Sequence, residues 1–267
     1  NPYIEQFKNA NNFNSEVIMA VSCDETADGT NKSGNFNPLM MRATPDNAAR
    51  VDDQGNPTPF YLQGQGWGQT FNVSPKFWDT YDPSDKRRDV ILTKYYTTAG
   101  TWIDRNTTTW DGFIINKFPV ETATAFQGTD IPLARWADVL LMYAEAEVRK
   151  NNAVPSADAI AAVNEVRKRA GLGDLPSSAT ANVEAFLDAL LTERGHEMLY
   201  EGMRKIDLIR FNQYAQRTAK IKGVAPTHQY VPIPNYAVQQ ASESYGKVLA
   251  QTFEREGWKA DLAAARN

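Results

Sequence analysis

The sequence predicts a mainly α-helical fold combined with an irregular, loop-rich part that holds short strands. Three observations carry the prediction. Residues 131–212 show apolar side chains at helical spacing, broken only by brief polar or glycine stops. Residues 1–130 instead concentrate Gly, Asn, Thr and aromatic residues in short, uneven runs. After residue 212 the chain returns to extended stretches, with two prolines in "YVPIPN" (230–235) that exclude a helix and a central strand. The expected organisation is therefore a loop-rich α+β portion, 1–130, and a portion of helical hairpins with an extended end, 131–267.

The elements follow in order. "EVIMAVS" before Cys23 reads as a buried strand. "NVSPKFWDTYD" places Ser74 as N-cap and Pro75 at the first helical position, with Phe77, Trp78 and Tyr81 on one packing face. Alternation in "DVILTKYYTT" (89–98) marks a strand, "IINKFPV" (114–120) its partner, and residues 99–112 a long polar hairpin tip. "RWADVLLMYAEAEVRKN" (135–151) is one long helix with a single narrow polar line, Arg135, Asp138, Met142, Glu145 and Arg149. So little polar surface implies neighbours on most sides. A second helix follows Pro155 with Ser156 as N-cap and stops at Gly171; a third runs from about Asn182 to Tyr200; Gly202 separates it from "MRKIDLIRF". Trp136, Val139 and Tyr143 fall at the offsets of the W-x2-L-G-x2-Y pattern of tetratricopeptide-type hairpins, with Leu140 in the glycine position. Such hairpins need about three units to bury their faces, and the missing neighbours are expected elsewhere.

Bulk numbers exclude several function classes. The chain has 267 residues, a net charge of −4 and one cysteine, with a pI near 5.4 and mean hydropathy of −0.50. No basic stripe suits nucleic acid, and Lys86-Arg87-Arg88, bracketed by Asp85 and Asp89, reads as a solvated turn. No apolar run approaches the roughly 18 residues that cross a bilayer. One cysteine rules out a disulfide framework, and any export signal or lipid anchor would lie upstream of Asn1. "DETADGTNKSGN" puts Asp24, Asp28 and Gly29 in calcium-loop positions, but residue 35 is Asn where a closing Glu belongs. An Asx-rich turn is expected there, with weak calcium binding left open.

"ERGHEMLYEGMRKIDLIRF" (193–211) is the most charged helical stretch. Its acids Glu193, Glu197, Glu201 and Asp207 and its arginines Arg194, Arg204 and Arg210 fall partly on the inward stripe. Buried charges must be paired, so a structural ion-pair network among these residues is expected. The competing reading makes two of the acids a glycosidase pair about 5–10 Å apart. Arginine neighbours argue against it, because they hold carboxylates ionised. "HEMLY" starts like a zincin helix, but the second histidine position, 200, is Tyr. No catalytic or metal-binding set emerges.

"DIPLARWADVLLMYAEAEVRKN", "AVNEVRKRAGL", "ERGHEMLYEGMRKIDLIRF" and "YVPIPN", preceded by "GWGQTFNVSPKFWDTYDPSDKRRDV", resemble in that order the C-terminal signatures of the SusD/RagB family. The resemblance covers most of the chain but only the C-terminal half of a typical member. The closing "KVLAQTFEREGW" matches the family ending loosely. The resemblance implies a SusD-like fold, an outer-membrane surface lipoprotein whose anchor is not in this chain, and a partner that is a SusC-like TonB-dependent transporter. It further implies glycan or nutrient binding without catalytic residues, through contacts that vary between members and come from loops; no cofactor is expected.

Sugar recognition needs flat aromatic faces beside fixed polar groups. Two places offer them. The hairpin tip carries Trp102, Asp104, Arg105, Asn106, Trp110 and Asp111, and "FYLQGQGWGQ" (60–69) carries Tyr61, Trp67 and Gln69. Trp102 and Trp110 are the preferred platform; for Trp67, structural and binding roles stand even. The alternative function is a helical-repeat module that binds protein alone.

Overall fold

The computed structural model describes residues 2–24, 35–60, 66–121, 127–227, 234, 236–237 and 239–240. The chain divides into two compact units, Asn1–Glu201 and Gly202–Asn267. The first unit opens with α1 (Pro2–Glu5), β1 (Val17–Val21), α2 (Leu39–Ala43) and α3 (Pro75–Trp78). Short strands β2 (Ile91–Leu92), β3 (Lys94–Tyr96), β4 (Trp102–Asp104), β5 (Ile114–Ile115) and β6 (Ile131–Arg135) follow. Helices α4 (Trp136–Asn151), α5 (Ala157–Arg169) and α6 (Val183–Glu197) complete it. The second unit holds α7 (Met203–Arg210) and α8 (Tyr214–Lys222).

Local chemistry explains the long helices. Ser156 Oγ accepts the Ala159 N–H and Asn182 Oδ1 accepts the Ala185 N–H, each satisfying a first-turn donor that the helix leaves open. Helix α5 stops where Gly171 adopts φ 82°, a conformation that costs glycine nothing. Along α4, Ala137, Leu141, Ala144 and Val148 point inward, and Val163, Val166, Phe186, Leu190 and Leu191 from α5 and α6 are buried with them. Each large aliphatic or aromatic side chain so buried contributes about 1.5–3 kcal/mol. The loop-rich part has a separate core around Tyr3, Phe7, Met41, Phe113 and Phe118, built from edge-to-face aromatic contacts.

Several expectations are corrected. Residues 131–135 are not helical: they form β6, antiparallel to β1, with Val17 opposite Arg135 and Val21 opposite Ile131. Pro132 disfavours the helical conformation for Ile131 before it and is tolerated in a two-stranded edge. Strand β1 exists, but it is exposed at Ile18 and Met19 rather than buried. The hairpin is nested. Ile91–Leu92 pair with Ile114–Ile115, while Lys94–Tyr96 turn back onto Trp102–Asp104, so Trp102 lies in a strand and not at a loop tip. Tyr214–Lys222 form a helix where extended chain is expected. Residues 228–233 and 235 of "YVPIPN" and its surroundings lie outside the described residues.

Of the polar line of α4, Asp138 and Glu145 are buried, whereas Met142 in the same line, and Trp136 and Tyr143 beside it, are each more than 40% exposed. The helix is thus covered on the side where its charges find partners, not on most sides. Among the described residues no helix is long and apolar enough to cross a membrane.

Candidate functional site

The charged end of α6 forms a buried frame. Glu197 is fully buried and its carboxylate meets three guanidinium groups: Arg135 at 2.9 Å, Arg87 at 3.2 Å, and Arg169. Arg87 also holds Asp85 through two nitrogens, at 2.9 and 2.7 Å, and reaches Glu193 at 2.6 Å. Arg167 takes the other oxygen of Glu193 at 3.1 Å. Arg135 grips Glu201 in a two-pronged contact, Nε at 2.8 Å and Nη2 at 2.7 Å, and touches Glu16 at 2.9 Å. Lys117 donates to Glu201 and to the carbonyls of Glu197 and Leu199 at 3.1 and 3.0 Å. It thereby caps the open C-terminal carbonyls of α6.

The cluster balances five carboxylates, from Asp85, Glu193, Glu197, Glu201 and Glu16, against five cations. The partners differ from those the local sequence suggests. Glu193, Glu197 and Glu201 pair with Arg87, Arg135, Arg167, Arg169 and Lys117, all from outside the 193–211 stretch. Arg194 reaches Asp138 at 2.8 Å, and in the second unit Arg210 holds Asp207 at 2.8 Å. Lys86-Arg87-Arg88 is no solvated turn, because Arg87 is wholly buried. Burial pushes the Glu197 carboxyl up, but Arg135, Arg169, Arg87 and Lys117 outweigh it and hold it well below the usual carboxylate range. Burial lowers Lys117 to about 8 despite the attraction of Glu201. The frame is closed and charge-neutral. Glu197 and Glu201, both lowered by their cationic neighbours, are poor proton donors.

The aromatic surface is built differently. Residues 66–71 are laid against the end of α2 by three backbone bonds: Trp67 N–H to Met41, Gln69 N–H to Thr44 and Phe71 N–H to Arg42. Only glycine fits at 66, since a Cβ there would stand 2.2 Å from the Pro45 carbonyl oxygen. Gly68 and Gln69 both adopt positive φ, 75° and 46°. For Gln69 that is unfavourable, and its side chain supplies the compensation. Its Nε2 donates to the Gly112 carbonyl at 2.7 Å and its Oε1 accepts the Trp110 indole N–H at 2.9 Å. The result is a fixed presentation of Trp67 and Phe71, 38% and 45% exposed. Arg42 lies 5.5 Å over the Trp67 ring, Phe36 meets its edge, and Phe71 packs edge-on to Tyr200.

Trp102 forms a second exposed face, 39% accessible. The register places it opposite Tyr96, 5.3 Å between ring centroids. Lys94 Nζ sits 4.6 Å from the Trp102 ring, and the indole N–H donates to Asp53 at 3.1 Å. Trp110 is not its companion. That ring is half-buried against both core clusters of the loop-rich part, 5.6 Å from Tyr95 and 5.4 Å from Phe113. Its role is to hold Gln69.

The other candidates scatter. Asp104 accepts the Asn106 N–H at 2.8 Å in a local turn. Arg105 pairs with Asp79 at 2.9 Å on the surface, and Asp111 is exposed. Tyr61 and Asp28 lie outside the described residues; Asp24 donates its N–H to the Asn35 carbonyl at 2.8 Å. Among the described residues no group of three or more His, Cys, Asp or Glu is arranged to hold a metal ion. Sequence reasoning missed Arg42, Phe71, Tyr96, Lys94 and Asp53. Phe71, an isolated aromatic between Thr70 and Asn72, carried a usable signal; the others depend on pairing across the fold.

Residues 60–248 match the SusD family. A SusD-like protein from Formosa agariphila is 28% identical over 218 residues, which are 78% of this chain and 42% of that protein. The starch-binding protein SusD of Bacteroides thetaiotaomicron is 35% identical over 106 residues, 39% of this chain and 17% of its own. The solved structure of a laminarin-binding SusD-like protein superposes with a TM-score of 0.66 at 25% identity, covering 93% of this chain and 52% of that one. The chain thus spans about half the length, or less, of these relatives.

Proposed function

The chain belongs to the SusD family, and from that premise we propose that it binds glycan at the cell surface, without catalysis, for delivery to a TonB-dependent outer-membrane transporter. The observation that carries this reading is the pair of exposed indoles, Trp67 and Trp102, each fixed by bonds from elsewhere in the fold. A preorganised aromatic face binds a sugar ring at low conformational cost. Relatives named for starch and laminarin binding support the ligand class. Non-catalytic action is supported by the acids themselves. Glu193 and Glu197 are buried and arginine-bound, and the Glu197 carboxyl is held below the usual range, the opposite of the raised pKa that a general acid needs.

Calorimetric titration of the full chain with an oligosaccharide panel tests the reading. Trp67→Ala and Trp102→Ala should each weaken binding at least tenfold, about 1.4 kcal/mol. Affinity unchanged in both variants would reject the platform. A protein-contact role is favoured separately by the exposed Trp136 and Tyr143 of α4. Their replacement by serine should then weaken capture of the transporter and leave glycan affinity intact.

A further inference from the structure

We propose that the Trp67 face receives a saccharide carrying a negative charge, a uronate carboxylate or a sulfate ester, which Arg42 holds while the sugar ring lies on the indole. The inference rests on the glycan-binding reading and narrows its ligand class.

Arg42 is exposed, yet it is not free to wander from the platform. Its own carbonyl accepts the Phe71 N–H at 3.2 Å, and the preceding Met41 carbonyl accepts the Trp67 N–H at 2.7 Å. Guanidinium and indole are therefore held in register by the backbone. Among the described residues, no hydrogen bond or ion pair engages the side chain of Arg42 or of Arg88, and Arg88 lies over Trp78 at 3.8 Å. Arg88 is thereby half-buried, whereas Arg42 is exposed and offers an open fork. This occurs in a chain with 32 acidic residues against 28 basic ones, where most arginines have found a carboxylate. A guanidinium matches a carboxylate or sulfate through two parallel N–H bonds.

The Trp102 face lacks this feature. Asp53 accepts its indole N–H, and Asp104 stands across the strand from Lys94, so an anion there would meet carboxylates. Selectivity for charge belongs to Trp67. If Arg42 only closed the last turn of α2 or covered the indole, ligand charge would make no difference.

The test uses the full chain and three probes: tetragalacturonate, a sulfated galactan oligosaccharide, and neutral laminarihexaose. At least one acidic probe should bind ten times more tightly than the neutral one, and raised salt should weaken that binding by screening the contact. Which acidic probe binds separates carboxylate from sulfate. Arg42→Gln should weaken acidic binding at least fivefold, Arg42→Lys should restore part of it, and Trp67→Ala should abolish it. Equal, Trp67-dependent binding of laminarihexaose would overturn the charge assignment and leave the glycan reading standing. An Arg42→Gln variant with undiminished acidic affinity would do the same. Silence of all three probes would count against both.

Discussion

Replacing Glu197 with glutamine removes one charge from the centre of the buried frame while keeping the side-chain shape. Three guanidinium groups contact its carboxylate, Arg135 at 2.9 Å, Arg87 at 3.2 Å and Arg169. A glutamine offers one acceptor oxygen and turns an NH2 donor toward one of the arginines, leaving an uncompensated positive charge. Breaking a buried ionic contact in this way costs about 3–5 kcal/mol. With a urea m-value of roughly 3 kcal/mol/M, the unfolding midpoint followed by tryptophan fluorescence should fall by about 1–1.7 M at pH 7. The pH dependence gives a second reading. Folded Glu197 holds its proton less tightly than the unfolded residue, whose pKa is near 4.5. Its contribution is therefore full above that value and is lost as pH falls, because the unfolded state then takes up the extra proton. The parent should lose stability steeply below about pH 4.5, and the variant less so. Arg105→Ala, which breaks a pair half-exposed on both sides, should cost no more than about 1 kcal/mol. A Glu197→Gln protein with the parent's midpoint and the parent's acid slope would refute the frame.

Three further outcomes are expected. Gly66→Ala drives a Cβ to 2.2 Å from the Pro45 oxygen, so it should destabilise by at least about 1–3 kcal/mol and lose glycan affinity, both measurable by denaturation and titration. Gln69→Ala removes the two side-chain bonds that offset a φ of 46°; glycan affinity should fall several-fold while far-ultraviolet dichroism stays the same. Lys117, lowered to about 8 from the ordinary 10.5, keeps its proton more readily when unfolded. Parent stability should therefore gain from this lysine between those two values, a rise that Lys117→Met would lack in denaturation curves across that range.

Helices α4 to α6 were legible because their apolar period runs over three or more turns and Ser156, Asn182 and Gly171 punctuate it. The ion pairs were legible as a need but not as a map. Glu193 lies 106 residues from Arg87, and nothing local distinguishes Arg87 from the exposed Lys86 beside it. Trp102 and Trp110 looked equivalent because both flank a polar stretch. A three-residue strand is too short to show its own alternation, yet its register sends Tyr96 and Trp102 outward together while Tyr95 and Trp110 meet inside. For Trp67 the flanking glycines were visible; what they serve became clear only from the Pro45 oxygen and the left-handed Gln69. The side on which α4 is covered could not be read from its own residues, since its buried Asp138 answers to Arg194 on α6.

The division between ionic frame and aromatic surface is tested most directly by the indole N–H signals of the six tryptophans. In a nitrogen–proton correlation spectrum recorded during titration with a glycan that binds, the Trp67 and Trp102 signals should move with a common saturation point. Those of Trp78 and Trp136 should stay in place, and Trp110 should shift only slightly through Gln69. Saturation that displaces Trp136 and leaves Trp67 and Trp102 where they began would contradict the account.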